Sequence, residues 1–311
     1  MKKNTILSIG TMYLDINCTN FPFDQGLFAH RETVGEEYQL DLGGSALNFA
    51  KIAAQLDIDV SFLGKAGHDG IGGVLTTLFQ QNNINPLLVF EKDIQTNLAI
   101  HYIHADGSSI MTSCGNANQS LGKEDIEPKL DELFDTVGYL YLGGVFKLKK
   151  LLPYLKEIAK KAKDKGITVV LDHGRVNNSV TKKDLEHLSE LFPYIDIYLP
   201  SMDEFLTVWK ADTPQEAFTN LCEIAQPITI IKHAENGAIG FYEEKEFYAD
   251  PYKVEVMNTV GAGDSFNAGF LKAQIEGMTV EESMQFACAV AALKISTTEK
   301  ITVVSVNQLR K

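Results

Sequence analysis

Apolar runs rich in β-branched residues alternate with helical patterns along most of this chain. Residues 5–9, 60–63, 137–142, 167–171, 195–199 and 228–231 are short continuous apolar runs, which predict buried strands. Between them, 46–56, 72–81, 148–163, 183–191 and 214–225 read as helices, and Gly70, Gly166 and Pro227 punctuate the junctions. Alternation of this kind predicts an α/β fold, a mostly parallel central sheet with helices on both faces. Two regions break the rhythm. Residues about 11–41 carry polar and aromatic residues in extended patterns, with Pro22 and Gly26 as turns. Residues about 96–114 read as a hairpin turning at Asp106-Gly107. Together they predict a small β-sheet lid on one domain spanning residues 1–311, with ordinary edge strands as the other reading. Beyond residue 231 a further hairpin is expected to turn near Glu244-Lys245. A helix over 283–296, apolar on most of its circumference, is expected to be buried.

Composition narrows the classes. The 311 residues are 45% hydrophobic and 22% charged, so a core of ordinary size needs no metal or disulfide. The balance of 28 basic against 41 acidic residues gives −13, which argues against nucleic acid or an anionic membrane as partner. The N-terminal apolar run is too short for a signal peptide, and no window approaches a membrane span. Cys18, Cys114, Cys222 and Cys288 are scattered without metal or disulfide spacing. Free thiols in a cytoplasmic protein are the expectation.

Chemistry concentrates at two glycine-rich helix starts. In Asn258-Thr259-Val260-Gly261-Ala262-Gly263-Asp264, the glycines let backbone N–H groups approach an anion, and the helix dipole favours negative charge there. Asp264 beside such a hole suits a carboxylate that takes a proton from a hydroxyl attacking a phosphoryl group. An N-capping aspartate after a flexible turn is the plainer reading. In Asp41-Leu42-Gly43-Gly44-Ser45-Ala46-Leu47-Asn48, Gly43 and Gly44 permit close approach, and Asn48 offers a donor and an acceptor. Asp15, expected on a short loop after the first strand, joins them as a candidate for binding vicinal hydroxyls. A helix start capped by Ser45, with Asn48 facing solvent, is the alternative.

Other chemistries lack their motifs. No GxxxxGK[ST] occurs, since Gly64-Lys65 and Gly122-Lys123 are followed by Ala66 and Glu124. Phe266 spoils a dinucleotide fingerprint, which weakens an NAD-dependent oxidoreductase. Leu47 spoils a nucleophile elbow, and there is no HExxH.

Taken together, ILSIGTMYLDIN, LGGSALNFAKIAAQL, FLGKAGHDGIGGVL, NTVGAGDSFNAGF and FACAVAALKIST resemble the PfkB (ribokinase-like) carbohydrate kinase family across essentially the whole chain. The resemblance implies a ribokinase-like α/β fold with a small β lid, and ATP- and Mg²⁺-dependent phosphorylation of a sugar or nucleoside hydroxyl. It implies that Asp264 is the catalytic base and that Gly261, Ala262 and Gly263 form the anion hole. Asp15, Gly43, Gly44 and Asn48 are similar to sugar-binding positions. Residues 231–237 resemble a nucleotide-side loop, T-L-G-x-x-G, with Lys232 and Ala234 departing from it and Gly237 matching. Lys232 either contacts phosphate as a point charge or is solvated. Cys288 falls in the helix that borders the adenine pocket in relatives.

Three departures matter. Ser201 replaces the asparagine of N-x-x-E, although Glu204 can still hold Mg²⁺ through water. Asn258 replaces an aspartate that helps hold a monovalent cation in many relatives, which puts potassium activation in doubt. Asp172-His173-Gly174-Arg175 resembles a D-x-N-x-R stretch only loosely and receives no role.

The expected substrate is a small unphosphorylated sugar. The chain has three arginines, Arg31, Arg175 and Arg310, and only Arg31 falls in the expected lid. Gly115-Asn116-Ala117-Asn118 is similar to a G-A-N-A stretch of ribokinases and points the same way. Tyr13, Phe21, Phe23 and Phe28 keep a nucleoside acceptor open. Asn258 and Ser201 keep open a sugar- or nucleoside-binding regulator without catalysis. Exposed strand edges suggest a homodimer through the lid.

Overall fold

A computed structural model describes residues 4–19, 35–104, 109–243 and 245–310. Nine strands form the large sheet, in the order β13-β12-β11-β10-β9-β8-β1-β4-β5. They are β1 (Thr5–Gly10), β4 (Asp59–Gly67), β5 (Asn85–Glu91), β8 (Tyr139–Gly143), β9 (Thr168–Asp172), β10 (Ile197–Tyr198), β11 (Ile228–Lys232), β12 (Ala238–Tyr242) and β13 (Lys245–Ala249). All pairings from β5 through β11 are parallel, and β12 and β13 add an antiparallel hairpin at one edge. Four strands make the small sheet, β2 (Tyr13–Thr19), β3 (Glu37–Gly43), β6 (Leu98–Ile103) and β7 (Ser109–Cys114), in the order β3-β2-β6-β7.

Eleven helices complete the described chain: α1 (Ser45–Gln55), α2 (Gly70–Gln81), α3 (Ala117–Ser120), α4 (Lys123–Thr136), α5 (Leu155–Asp164), α6 (Lys182–Leu191), α7 (Met202–Trp209), α8 (Pro214–Cys222), α9 (Ala262–Ile275), α10 (Val280–Ser296) and α11 (Val303–Leu309). Strand residues alternate between two cores, as period-2 geometry requires. Ile6, Tyr141 and Val170 face α1, α9 and α10 on one side. Leu7, Leu140, Leu142, Val169 and Leu171 face α4 to α8 on the other. Being buried on both faces is why these strands read as continuous apolar runs.

The expected layered architecture is therefore present, with local differences. The expected helix over 148–163 is present from Leu155 as α5, preceded by the 3-10 turn Leu152–Tyr154, with another, Val145–Lys147, just ahead of the expected span. Pro153 lacks an N–H and its ring crowds the carbonyl four residues back, which disfavours a helix continuing through it, although α4 accommodates Pro128. Asp15 lies in β2, paired across to Asp41 of β3, where a short loop was expected. β5, α4 and α7 had no counterpart in the sequence reading. β5 is an edge strand whose continuous apolar run, Leu87 to Phe90, was legible in the sequence and overlooked. The expected turns at Pro22, Gly26 and Asp106-Gly107, and the lid residues Phe21, Phe23, Phe28 and Arg31, lie outside the described residues. So does Glu244 of the second expected turn.

Candidate active site

The parallel strands end on one side of the large sheet, where open α/β folds carry their ligands. The N-termini of α1 and α9 meet there, and each supplies one of the glycine motifs.

At α1 the glycines are required by packing. A Cβ on Gly43 would lie 2.0 Å from the Asp15 carboxyl carbon, so the Asp15 side chain fits only because Gly43 has none. Gly44 has φ +94°, and a Cβ there would sit 2.5 Å from the Thr11 carbonyl. Asp15 is buried, and its Oδ2 lies 3.3 Å from Nε2 of His101 on β6. Asp41, its cross-strand partner, accepts from the Lys51 ammonium at 2.6 Å. Asp15, Asp41 and His101 share one face of the small sheet by register.

At α9 Gly261 is the N-cap with φ +79°, and Asp264 occupies the third helical position. Its carboxylate therefore does not cap the helix through its side chain, contrary to the plainer expectation. It is instead held from α1. Ser45 Oγ donates to Oδ1 at 2.8 Å, and Asn48 Nδ2 donates to Oδ2 at 3.0 Å. Asn48 thus faces this carboxylate, not solvent. Burial, reinforced by the negative charge of Asp172, raises the Asp264 carboxyl from 3.8 to about 6, and the two hydrogen bonds and Lys232 oppose that rise. Each carboxylate oxygen can accept two hydrogen bonds and takes one from α1, so both keep a free lone pair. The arrangement offers a base largely ionised at neutral pH yet stronger than an ordinary aspartate.

Beneath the α9 terminus lies a polar cluster. Asp172, at the end of β9, pairs with Lys232, at the end of β11, at 2.8 Å. Asn267, one turn beyond Asp264, donates to Asp172 Oδ2 at 2.6 Å and to the Tyr141 hydroxyl at 2.9 Å, and accepts from Lys232 at 3.2 Å. Tyr141 stacks on Phe49 of α1, with ring centroids 3.6 Å apart. Burial favours the neutral form of Asp172, but the adjacent Lys232 ammonium outweighs it and holds the carboxyl below its ordinary value. Lys232 is therefore ion-paired at the site, and the solvated alternative does not hold. On the other flank, Lys294 of α10 has its Cε 3.4 Å from where a Gly261 Cβ would be. It has no ion pair among the described residues, and burial lowers its pKa.

The remaining candidates are more scattered. Glu204 caps α7, its Oε2 accepting from the Ser201 N–H at 3.0 Å. Its other oxygen has no hydrogen bond among the described residues, which fits one water-mediated contact to Mg²⁺. No group of three His, Cys, Asp or Glu side chains able to hold a metal occurs among the described residues. Ala234 and Gly237 lie in the turn between β11 and β12, Ala234 at φ +46° in the left-handed region. Cys288 points into the core from α10, and burial, with Asp250 nearby, pushes its thiol up to about 12. No hydrogen bond or ion pair among the described residues joins Ala234, Gly237 or Cys288 to Asp264. Asn258 makes a turn, its Oδ1 accepting from the Val260 N–H at 2.9 Å.

The two glycine motifs, Asp15, Asn48, Asp264 and Lys232 are thus brought to one place. The sequence reading missed Ser45 as a partner of Asp264, and it missed Asp172, Tyr141, Asn267 and Lys294. Asn267 carried a signal: a polar residue within the apolar face of a helix needs a buried partner.

A family model described as pfkB family carbohydrate kinase matches residues 1–306. An ATP-dependent 6-phosphofructokinase of Thermoanaerobacterium thermosaccharolyticum is 22% identical over 94% of this chain and 88% of its own length. A 5-dehydro-2-deoxygluconokinase of Clostridium perfringens is 22% identical over 95% of this chain and 88% of its own. A solved structure provisionally named ribokinase II from E. coli, in complex with ATP and Mg²⁺, superposes with a TM-score of 0.84 at 17% identity, covering 100% of this chain and 99% of that one.

Proposed function

This chain belongs to the pfkB family of carbohydrate kinases, sugar phosphotransferases, and on that premise we propose that it phosphorylates a hydroxyl of a small sugar with Asp264 as general base. The observation that carries the reading is the Asp264 carboxylate, half-buried, held by Ser45 and Asn48, and placed in the first turn of α9 beside the amides of residues 261–263. In the transfer, the sugar oxygen forms a bond to the γ-phosphorus of ATP as its proton passes to Asp264. The bond from that phosphorus to the leaving ADP oxygen breaks. The N–H groups of Gly261, Ala262 and Gly263 stabilise charge on the phosphoryl oxygens, and Lys232, beside Gly263, adds a point charge. Glu204 would hold Mg²⁺ through water, and the ion would supply neutralisation of phosphate charge when bound with the nucleotide. Asp15 and Asn48 accept and donate to sugar hydroxyls. Ala234, Gly237 and Cys288 border the nucleotide. With Asn258 already spent on a turn, activity is expected without added potassium.

The small sheet acts as the lid, its Asp15 face over the sugar, excluding water from the transfer. Its other face carries Ile16, Tyr38, Leu40, Ile100 and Ile110, with Tyr38 73% and Ile110 46% exposed. A second copy is the fitting occupant, because a sheet face can pack on itself across a two-fold axis at about 10 Å. A monomeric mass at micromolar concentration contradicts the dimer. ATP as the phosphoryl donor and four cysteines without disulfide spacing support work in the cytoplasm.

An ADP-release screen tests the function, with ribose, fructose, 2-keto-3-deoxygluconate, fructose 6-phosphate, adenosine and inosine as acceptors. ADP with an unphosphorylated sugar is the expected result. ADP only with nucleosides overturns the substrate class. Binding by calorimetry without ADP from any acceptor overturns catalysis and leaves a sugar- or nucleoside-binding regulator.

A further inference from the structure

Asp172 is a buried carboxylate that the proposed transfer does not use. Its Oδ1 accepts from the Gly174 N–H at 3.0 Å, and its Oδ2 accepts from Lys232 at 2.8 Å and Asn267 at 2.6 Å. Asn267 is fully buried, and its own oxygen takes Lys232 while its nitrogen serves Tyr141 as well. With both amide ends committed, its orientation is fixed. Three elements, β9, β11 and α9, are therefore clamped around one buried carboxylate that three protein donors hold. A buried group so held is poorly suited to bind substrate, and its influence is electrostatic.

Its target is the carboxylate one helical turn away. Asn267 lies three residues after Asp264, on the same side of α9, so Asp172 faces the flank of Asp264. Two carboxylates sharing a pocket push their proton affinities apart, and the one with the closer cation stays ionised. Lys232 is that cation, and it is Asp172 that holds it. The other groups facing Asp264 are Ser45 and Asn48 of α1, Tyr141 of β8 and Lys294 of α10. Of these only Lys294 carries charge, and it acts in the opposite sense to Asp172.

We propose that Asp172 is a positioning residue that makes Asp264 a stronger base, with Lys232 and Asn267 holding its charge in place. The effect rests on the reading of Asp264 as the base but is measurable without turnover. The experiment is carboxyl ¹³C NMR titration of aspartate-labelled protein without substrate, with the Asp264 signal assigned by its loss in Asp264→Asn. Asp172→Asn keeps the shape and removes the charge, and the Asp264 midpoint is expected to fall by about one pH unit. Lys232→Met unmasks Asp172, and the midpoint is expected to rise. The acid limb of kcat/KM moves in the same two directions. A purely structural role for Asp172 changes stability without these opposed shifts. Midpoints unmoved in both folded variants overturn the proposal. If Asp172→Asn fails to fold, absence of the rise in Lys232→Met overturns it alone. NMR shifts without matching shifts in kcat/KM leave the coupling standing and overturn Asp264 as the base instead.

Discussion

The two helix starts that build the site use glycine for different reasons. At α1 a side chain at Gly43 would overlap the Asp15 carboxyl group, and one at Gly44 would meet the Thr11 carbonyl. Those glycines are demanded by the protein's own atoms. At α9 a Cβ on Gly263 would find its nearest neighbours, Lys232 Cδ and Nζ, 3.6 Å away, an ordinary van der Waals contact. The fold does not need that glycine, so the space above it is the feature to explain. An approaching anion explains it, because amide hydrogens at a helix N-terminus reach a ligand only where no side chain intervenes. The comparison separates residues that build the site from residues that serve its reactants.

The largest test of that division is Asp264→Asn. It removes the base and leaves the glycines alone, and kcat is expected to fall about 10²- to 10⁴-fold with sugar affinity nearly kept. Steady-state kinetics with calorimetry reads both. The same variant has a signature in stability. The Asp264 carboxyl is raised in the fold to about 6, so its contribution is fully present below the unfolded value near 3.8 and is lost as pH rises through about 6. Denaturant unfolding of Asp264→Asn should therefore gain on the wild type by roughly 2 kcal/mol between pH 4 and pH 8. A gap independent of pH contradicts the buried charge.

The glycine pair comes next. Gly43→Ala is expected to lose about 1–3 kcal/mol of stability through overpacking against Asp15. Gly263→Ala is expected to change stability by less than about 1 kcal/mol, in the stabilising direction within a helix, while kcat/KM falls about tenfold or more. Equal losses of stability in the two variants would erase the distinction between the two helix starts. The smallest effect is at Ala234, held at φ +46°. Ala234→Gly is expected to stabilise by about 0.5–1 kcal/mol, read as a rise in Tm.

Much of this was written in the chain. The buried strands announce themselves because both faces are apolar, and the two glycine motifs name Asp264, Asn48, Gly43 and Gly44 directly. What was not legible depends on contacts far apart in sequence. Ser45 looked like a helix cap and is instead a donor to a carboxylate 219 residues away. Asp172 sits in a stretch that matches a motif only loosely, and its partners come from two other elements. Lys232 left two readings open because a lysine at a strand end is ordinarily solvated, and only the three-dimensional neighbourhood supplies Asp172 and Asn267. The break at Pro153 was legible and overlooked, since proline in a helix interior is a local signal.

The most direct measurement of the central claim is the pH dependence of kcat/KM for phosphoryl transfer from ATP to the best sugar acceptor. The account predicts an acid limb with its midpoint near 6 in the wild type, set by Asp264, and no such limb in the residual rate of Asp264→Asn. A limb that persists unchanged in that variant would show that another group takes the proton.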